Sequence, residues 1–239
     1  MGVNTFTLGG KCSADFGIIM TKPPALVSAE RDIERHSIPG RSGDIIMDNG
    51  RYKNVTVPYE CALIPPDDMD FRTAAIRVAD FLRPTSAYKR LENTYAPSHF
   101  RLARVSSAIS VESIMEQAGT FRIQFDCVPQ RYLIEGEKEI SMTAAGSLNN
   151  PTSEDALPLI TVLGFGEGTL VVGDITVVIN ELNGTLILDC KNQNAYYGTE
   201  NLNGTIRAMP FPVLVPGDNA ISWTGGVTGV KIIPRWWTT

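Results

Sequence analysis

The sequence predicts a mainly β protein of two domains, with one α-helix and one projecting β-hairpin arm. Three observations predict it. Apolar and polar residues alternate with a period of two in most of the ordered-looking segments, and turn residues recur every 8–12 positions, the pattern of β-sandwiches. A single segment has helical spacing instead. One further segment, Glu30 to Asn54, is too densely charged to belong to a core.

Taken in chain order, the first unusual element is this charged segment. It sets Arg31, Arg35, Arg41, Arg51 and Lys53 against Glu30, Asp32, Glu34, Asp44 and Asp48. Its middle, Ile38-Pro39-Gly40-Arg41-Ser42-Gly43-Asp44, is turn chemistry. Isoleucines 33, 38, 45 and 46 and Met47 lie among the charges. Such a hairpin cannot bury itself in its own domain. It projects into water or lies on a partner, where aligned ion pairs would set register more than affinity.

Asn54–Ile64 follows, rich in β-branched and aromatic residues and alternating at Val55, Val57 and Tyr59. Asp67–Arg83 is the helix. Phe71, Ala75, Val78, Ala79 and Leu82 form one stripe. Asp67, Asp68 and Asp70 supply the N-cap and favourable charge, and Pro84 stops it. Thr120–Val128 alternates strictly, with Phe121, Ile123, Phe125 and Cys127 on one face. That is a half-buried antiparallel strand.

Between Glu135 and Pro158 the texture turns polar, small and Pro-containing, which predicts a linker over 136–157, hinged at Gly146–Pro151, between domains at 1–135 and 158–239. Residues 138–142 are a candidate strand within it. In the second domain, Asn183-Gly184 and Asn203-Gly204 predict hairpin turns, because an Asn-Gly pair accepts positive φ at both positions, and a third hairpin is predicted across Gly225-Gly226 or the nearby Gly229. Gly164–Gly168 reads as another turn. It lacks the following helix that a phosphate loop needs.

Composition bounds the function. A chain of 239 residues with 43 % hydrophobic content can bury a sizeable core. A net charge of −5 does not suit wrapping around DNA. Met1–Gly10 carries no basic segment followed by an apolar run, and no stretch has the ~20 apolar residues of a membrane span. A soluble protein made in a cytoplasm is therefore expected, with Cys12, Cys61, Cys127 and Cys190 as buried reduced thiols. The Asn-x-Thr triplets at Asn54, Asn183 and Asn203 then read as turn and strand residues. His36 and His99 have no second ligand at metal spacing. No nucleophile elbow, nucleotide loop or dinucleotide fingerprint occurs. Glu135 and Glu137 read as solvated charge. No catalytic residue, metal or cofactor is expected. Trp223, Trp236 and Trp237 are the candidates for an alternative reading, a carbohydrate-binding module.

The succession of motifs resembles one family. Cys12–Met20 (CSADFGIIM) is similar to its opening strand. Ile38–Val55 (IPGRSGDIIMDNGRYKNV) is similar to its hairpin and the segment after it. Ala79–Val105 is similar to its helix end and following strands, with Phe81 where the family usually carries Trp. GTLILDC, PFPVLVPGDNAI and KIIPRWW are similar to its second domain. The chain thus resembles the siphophage distal tail (Dit) proteins of phages and prophages of Gram-positive bacteria, over nearly its whole length.

The resemblance implies an N-terminal β-sandwich-like domain and a C-terminal galectin-like β-sandwich. It implies a non-enzymatic virion protein at the tail tip, six copies of which form a ring that DNA crosses. Its partners would be the tail tube protein, the tail-associated hub protein, receptor-binding proteins and the tape measure protein. The arm, about residues 33–55, would embrace the next subunit through Ile38, Pro39, Gly40, Arg41, Gly43 and Asp44, with ion pairs from Arg31, Arg35 and Arg51. Galectin-type sugar sites use a His, and the chain has none after Pro158.

Overall fold

The computed structural model describes residues 3–113, 118–208 and 210–239. Among them no helix is long and apolar enough to cross a membrane. The chain divides into two compact units, Met1–Arg131 with Thr239, and Tyr132–Thr238. Each has its own buried apolar cluster.

In the first unit the strands are β1 (Phe6–Leu8), β2 (Lys11–Cys12), β3 (Ile18–Met20), β4 (Arg31–His36), β5 (Ile45–Tyr52) and β6 (Val55–Leu63). Helix α1 (Phe71–Phe81) follows, then β7 (Lys89–Asn93), β8 (His99–Val105), β9 (Glu112–Ser113) and the long β10 (Gly119–Leu133). The main sheet has the order β2-β1-β7-β8-β10-β6-β3, and β4–β5 is a separate two-stranded sheet. The predicted alternation sets the register. In the antiparallel β10–β6 pair, Phe121, Ile123, Phe125 and Cys127 face Cys61, Tyr59, Val57 and Val55, and all eight are buried. A one-residue slip would turn this whole set toward water.

Helix α1 covers that face. Its N-cap is Asp70, whose carboxylate accepts from the Thr73 N–H at 3.0 Å and from the Thr73 hydroxyl at 2.6 Å. Those bonds hold the Asp70 carboxyl below the usual carboxylate range. Asp67 and Asp68 lie before the cap, so the helix is shorter than predicted. The buried stripe is Ala74, Val78 and Leu82, flanked by Phe71, Ala75 and Phe81, while Ala79 is exposed. Phe81 stacks on Phe16 with centroids 4.1 Å apart, so an aromatic here packs without the Trp.

The second unit contains β11 (Ile140–Met142), β12 (Gly146–Asn150), β13 (Leu159–Val172), β14 (Ile175–Asp189), β15 (Asn194–Tyr197), β16 (Glu200–Asn201), β17 (Ile206–Arg207), β18 (Gly217–Ile233) and β19 (Trp237–Thr238). Three of the expected hairpins are absent. Asn183-Gly184 lies inside β14, opposite Phe165 and Gly164. Gly225-Gly226 and Gly229 lie inside β18, and Asn203-Gly204 lies in a 3₁₀ turn. Gly164–Gly168 is likewise part of β13, where the register shifts. The chain reverses instead at Gly173-Asp174.

These glycines bend strands rather than end them. On either side of the bend the same three strands pair, first as Leu159–Leu163 with Thr185–Asp189 and Gly229–Ile233, then as Gly168–Val172 with Ile175–Ile179 and Ile221–Gly225. Ile160, Val162, Leu188 and Ile232 from one half join Leu170, Val172, Val177 and Ile221 from the other in a single buried cluster. Continuous strands thus supply both layers, with the corner at the bulge. The β13 and β18 backbones meet there. A Cβ on Gly226 would lie 1.7 Å from the Phe165 carbonyl oxygen.

The segment read as a linker is part of this unit. Both β11 and β12 pair with β18. At the end of β12, Asn150 is buried, donates to the Glu154 and Leu214 carbonyls at 2.9 Å each, and accepts from the Thr152 N–H and hydroxyl. Polar side chains here satisfy backbone rather than water, and the composition of the two cases is alike.

The motifs ILDC and IPRW meet in space. Asp189 accepts from Arg235 Nη1 at 2.7 Å and from Asn192 Nδ2 at 2.8 Å. Burial raises the Asp189 carboxyl pKa, but these bonds outweigh it and hold it below the usual carboxylate range. The stabilisation is therefore present above about pH 4 and lost as pH falls through the lowered folded-state pKa. Asp189→Asn should cost about 1–3 kcal/mol at about pH 7 and much less at about pH 3. Denaturant midpoints at the two pH values check this, and an equal loss at both would refute it.

Cys61, Cys127 and Cys190 are buried free thiols, each pushed up to about 12 chiefly by burial. Cys12 is half-exposed, which departs from the expectation of four buried thiols. It sits on the short strand at the edge of the sheet.

Candidate assembly interface

The arm is the β4–β5 hairpin, and it lies outside the core sheet of its own unit. Every residue from Glu34 to Arg51 is exposed. The arm ends sooner than the sequence suggested. Tyr52 closes β5, and Val55 is 5 % exposed and already belongs to the core strand β6. Isolated two-stranded hairpins are marginal in water, so local features must shape this one.

Four such features are visible. At the tip, the Arg41 N–H donates to the Ile38 carbonyl at 3.1 Å, with Pro39 and Gly40 as central residues and Gly40 at φ 80°. This is a type II turn, which needs positive φ at its third position. Along the strands, Arg31 Nε donates to both Asp48 carboxylate oxygens, at 2.8 and 3.1 Å, and lies over the Tyr52 ring. Arg51 Nε donates to Asp32 at 2.7 Å. At the root, the Lys53 N–H donates to the Glu30 carbonyl at 2.8 Å. The Arg31 bond, with the Gly50 N–H, holds the Asp48 carboxyl below its usual range.

The expected ion-pair residues therefore divide. Arg31 and Arg51 are engaged within the arm, so they brace it. Among the described residues, the side chains of Arg35, Arg41 and Asp44 have no ion-pair or hydrogen-bond partner. Register places Arg35 opposite Ile46 and Glu34 opposite Met47. One face thus carries Ile33, Arg35 and Ile46. The other carries Glu34, His36, Ile45 and Met47. Ile46 and Met47 are 61 % and 55 % exposed, so both faces present apolar surface beside charge.

No known protein family matches the sequence, and no curated protein does. A solved structure does match the fold. The SPP1 Dit (gp 19.1) protein, described as a paradigm of the hub adsorption apparatus in Gram-positive-infecting phages, covers 100 % of both chains with a TM-score of 0.75 at 13 % identity. This chain has the fold of SPP1 Dit.

The Dit fold places the remaining candidates. Trp236 is buried in the second core, and Trp237 Nε1 donates to the Asp155 carbonyl at 2.9 Å. Trp223 is half-buried against the same core. The three indoles thus serve packing rather than a shared sugar platform. Among the described residues no group of His, Cys, Asp and Glu is placed to hold a metal ion. His36 is exposed on the arm beside Glu34, and His99 is half-buried in the first unit. Sequence reasoning missed the bracing role of Asp32 and Asp48. Each lies opposite or diagonal to an arginine once β4 and β5 pair, and only the register, with its bulge at Asn49–Arg51, shows which.

Proposed function

We propose that this chain is a distal tail protein of a phage tail tip, a structural rather than catalytic component. Six copies close a ring that joins the tail tube protein to the tail-associated hub protein and to receptor-binding proteins, and DNA passes through the lumen. It is made in the bacterial host cytoplasm and resides in the virion tail. The full-length likeness to SPP1 Dit carries this reading.

The arm supports it independently. A closed ring of identical chains requires a heterologous contact, one surface meeting a different surface on the next copy. An element with apolar groups on both faces and an unpaired cation, Arg35, on one of them suits insertion between two surfaces of a neighbour. Light scattering after size exclusion, with negative-stain images, tests the ring. Six chains of 26.1 kDa give roughly 157 kDa. A monomer that stays monomeric after the tube and hub proteins are added would refute it.

A further inference from the structure

The second unit holds an open cavity of about 610 Å³ that the ring reading does not use. That size falls in the range of small-molecule sites. Ile206, Ala208 and Phe211 form its floor, and all three belong to or pack against the second core. Its rim is polar, from Thr176, Gln193, Asn203 and Arg207. In the antiparallel β17–β14 pair Arg207 lies opposite Val178, so Arg207 and Thr176 stand on one face of the sheet.

The rim is held in place but keeps most of its hydrogen-bonding capacity. Asn203 Oδ1 accepts from the Ala195 N–H at 2.7 Å and its Nδ2 donates to Asn194 Oδ1 at 2.8 Å, which fixes the amide and leaves it a further hydrogen. Among the described residues, the side chains of Thr176, Gln193 and Arg207 have no hydrogen-bond or ion-pair partner. Gln193 has φ 50° in the turn between β14 and β15, a conformation that favours glycine or asparagine. Among the described residues the other non-glycine with positive φ is Arg235, whose side chain bonds Asp189. Gln193 has no such use within the chain, so a strained position retains a side chain whose partner lies outside it.

Donors outnumber acceptors here. Arg207 and Gln193 offer several N–H groups and Asn203 its remaining one, while the acceptors are amide and hydroxyl oxygens and no Asp or Glu lines the cavity. Arg207 is the rim's charged group. The complement is an acceptor-rich molecule with a planar acid for the guanidinium, hydroxyls for the amides, and a C–H face for the Phe211 ring. An inorganic anion would leave the floor uncovered. A sugar acid has all three parts.

We infer that this cavity is a binding site for a sugar acid, a pyranose ring carrying a carboxylate. The carboxylate lies on Arg207, the ring hydroxyls on Thr176, Gln193 and Asn203, and the C–H face of the ring on Phe211. The site lies within one chain and does not depend on ring assembly.

The test titrates the whole chain with sodium galacturonate and follows the Arg207 Nε–H and the Gln193 side-chain amide by NMR. The Asn149 amide, which donates to Asp218 outside the cavity, is the internal reference. Galacturonate should shift Arg207 and Gln193 saturably and leave Asn149 unmoved. Galactose lacks the charge and acetate lacks the ring, so each should bind about tenfold or more weaker. Arg207→Gln, a change at an exposed residue, should weaken galacturonate by a similar factor. Gln193→Gly removes the amide and relieves the backbone, so it should weaken binding while the melting midpoint stays level or rises. A residue kept only for folding would not give that combination. No saturable shift, an equal response to galactose, or unchanged affinity in both variants overturns the inference. A second arm uses trigalacturonate. If it binds more tightly than galacturonate, an acidic glycan chain supplies the sugar acid. If it does not, a free sugar acid does.

Discussion

Alanine at Gly226 is expected to destabilise the second unit strongly. The added Cβ would sit 1.7 Å from the Phe165 carbonyl oxygen and 2.7 Å from its carbon. The opposing position is equally tight, since a Cβ on Gly164 would lie 2.0 Å from the Gly226 carbonyl oxygen. Both obstacles are backbone, so no rotamer change relieves them. The strands β13 and β18 must part at the corner on which both layers depend. The cost should be about 3 kcal/mol or more, since this combines overpacking with backbone strain. For a unit of this size that lowers the melting midpoint by about 10 °C or more. All three tryptophans, Trp223, Trp236 and Trp237, lie in the second unit, so indole fluorescence reports it selectively. Gly204→Ala is the control. Nothing lies within 4 Å of its Cβ, and its effect should stay within about 0.5 kcal/mol. A wild-type midpoint for Gly226→Ala would show that the corner is not close-packed.

Shortening the arm should abolish assembly while leaving the fold intact. Replacing Glu34–Arg51 by a two-residue Asn-Gly turn removes only exposed residues. The buried cluster of the first unit contains none of them. Its stability should therefore change by no more than about 0.5 kcal/mol. The ring species should disappear and a monomer remain, as read by light scattering. Rings formed by the shortened chain would remove the arm from the interface. Arg35→Glu is a milder version, expected to weaken assembly more at low salt than at high salt because its charge is screened.

The division between what could and could not be read from the sequence follows physical range. The strand at 55–63, the 120–128 part of β10, helix 71–81 and the arm were legible because each is written in a local period or a local charge density. The hydrophobic effect acts on every residue of such a segment in the same sense, so the pattern is redundant. The arm's exposure was legible for the same reason, since so many charges in one run cannot be buried together.

The second unit was misread where one residue type serves two purposes. Glycine supplies positive φ to a turn and close approach to a bulge, and Gly184 and Gly226 carry the same local signal for either. Which use prevails depends on strands that pair across 20 to 60 residues of sequence. Asn150 and Thr152 looked like linker residues because polarity does not reveal whether the partner is water or a buried carbonyl. The bracing of Arg31 by Asp48 and of Asp189 by Arg235 likewise depends on register.

The sequence by itself determined the class of fold, the helix, the core-facing side of each alternating strand and the presence of an unburied arm. Tertiary structure alone decided where the long strands bend, that residues 136–157 join the second sheet, and which charges the arm keeps for itself. It also brought His99, Arg101 and Arg131 to one cavity. Periodicity constrains neighbours along the chain. Hydrogen-bond register and charge pairing are settled between segments that meet only when the chain has folded.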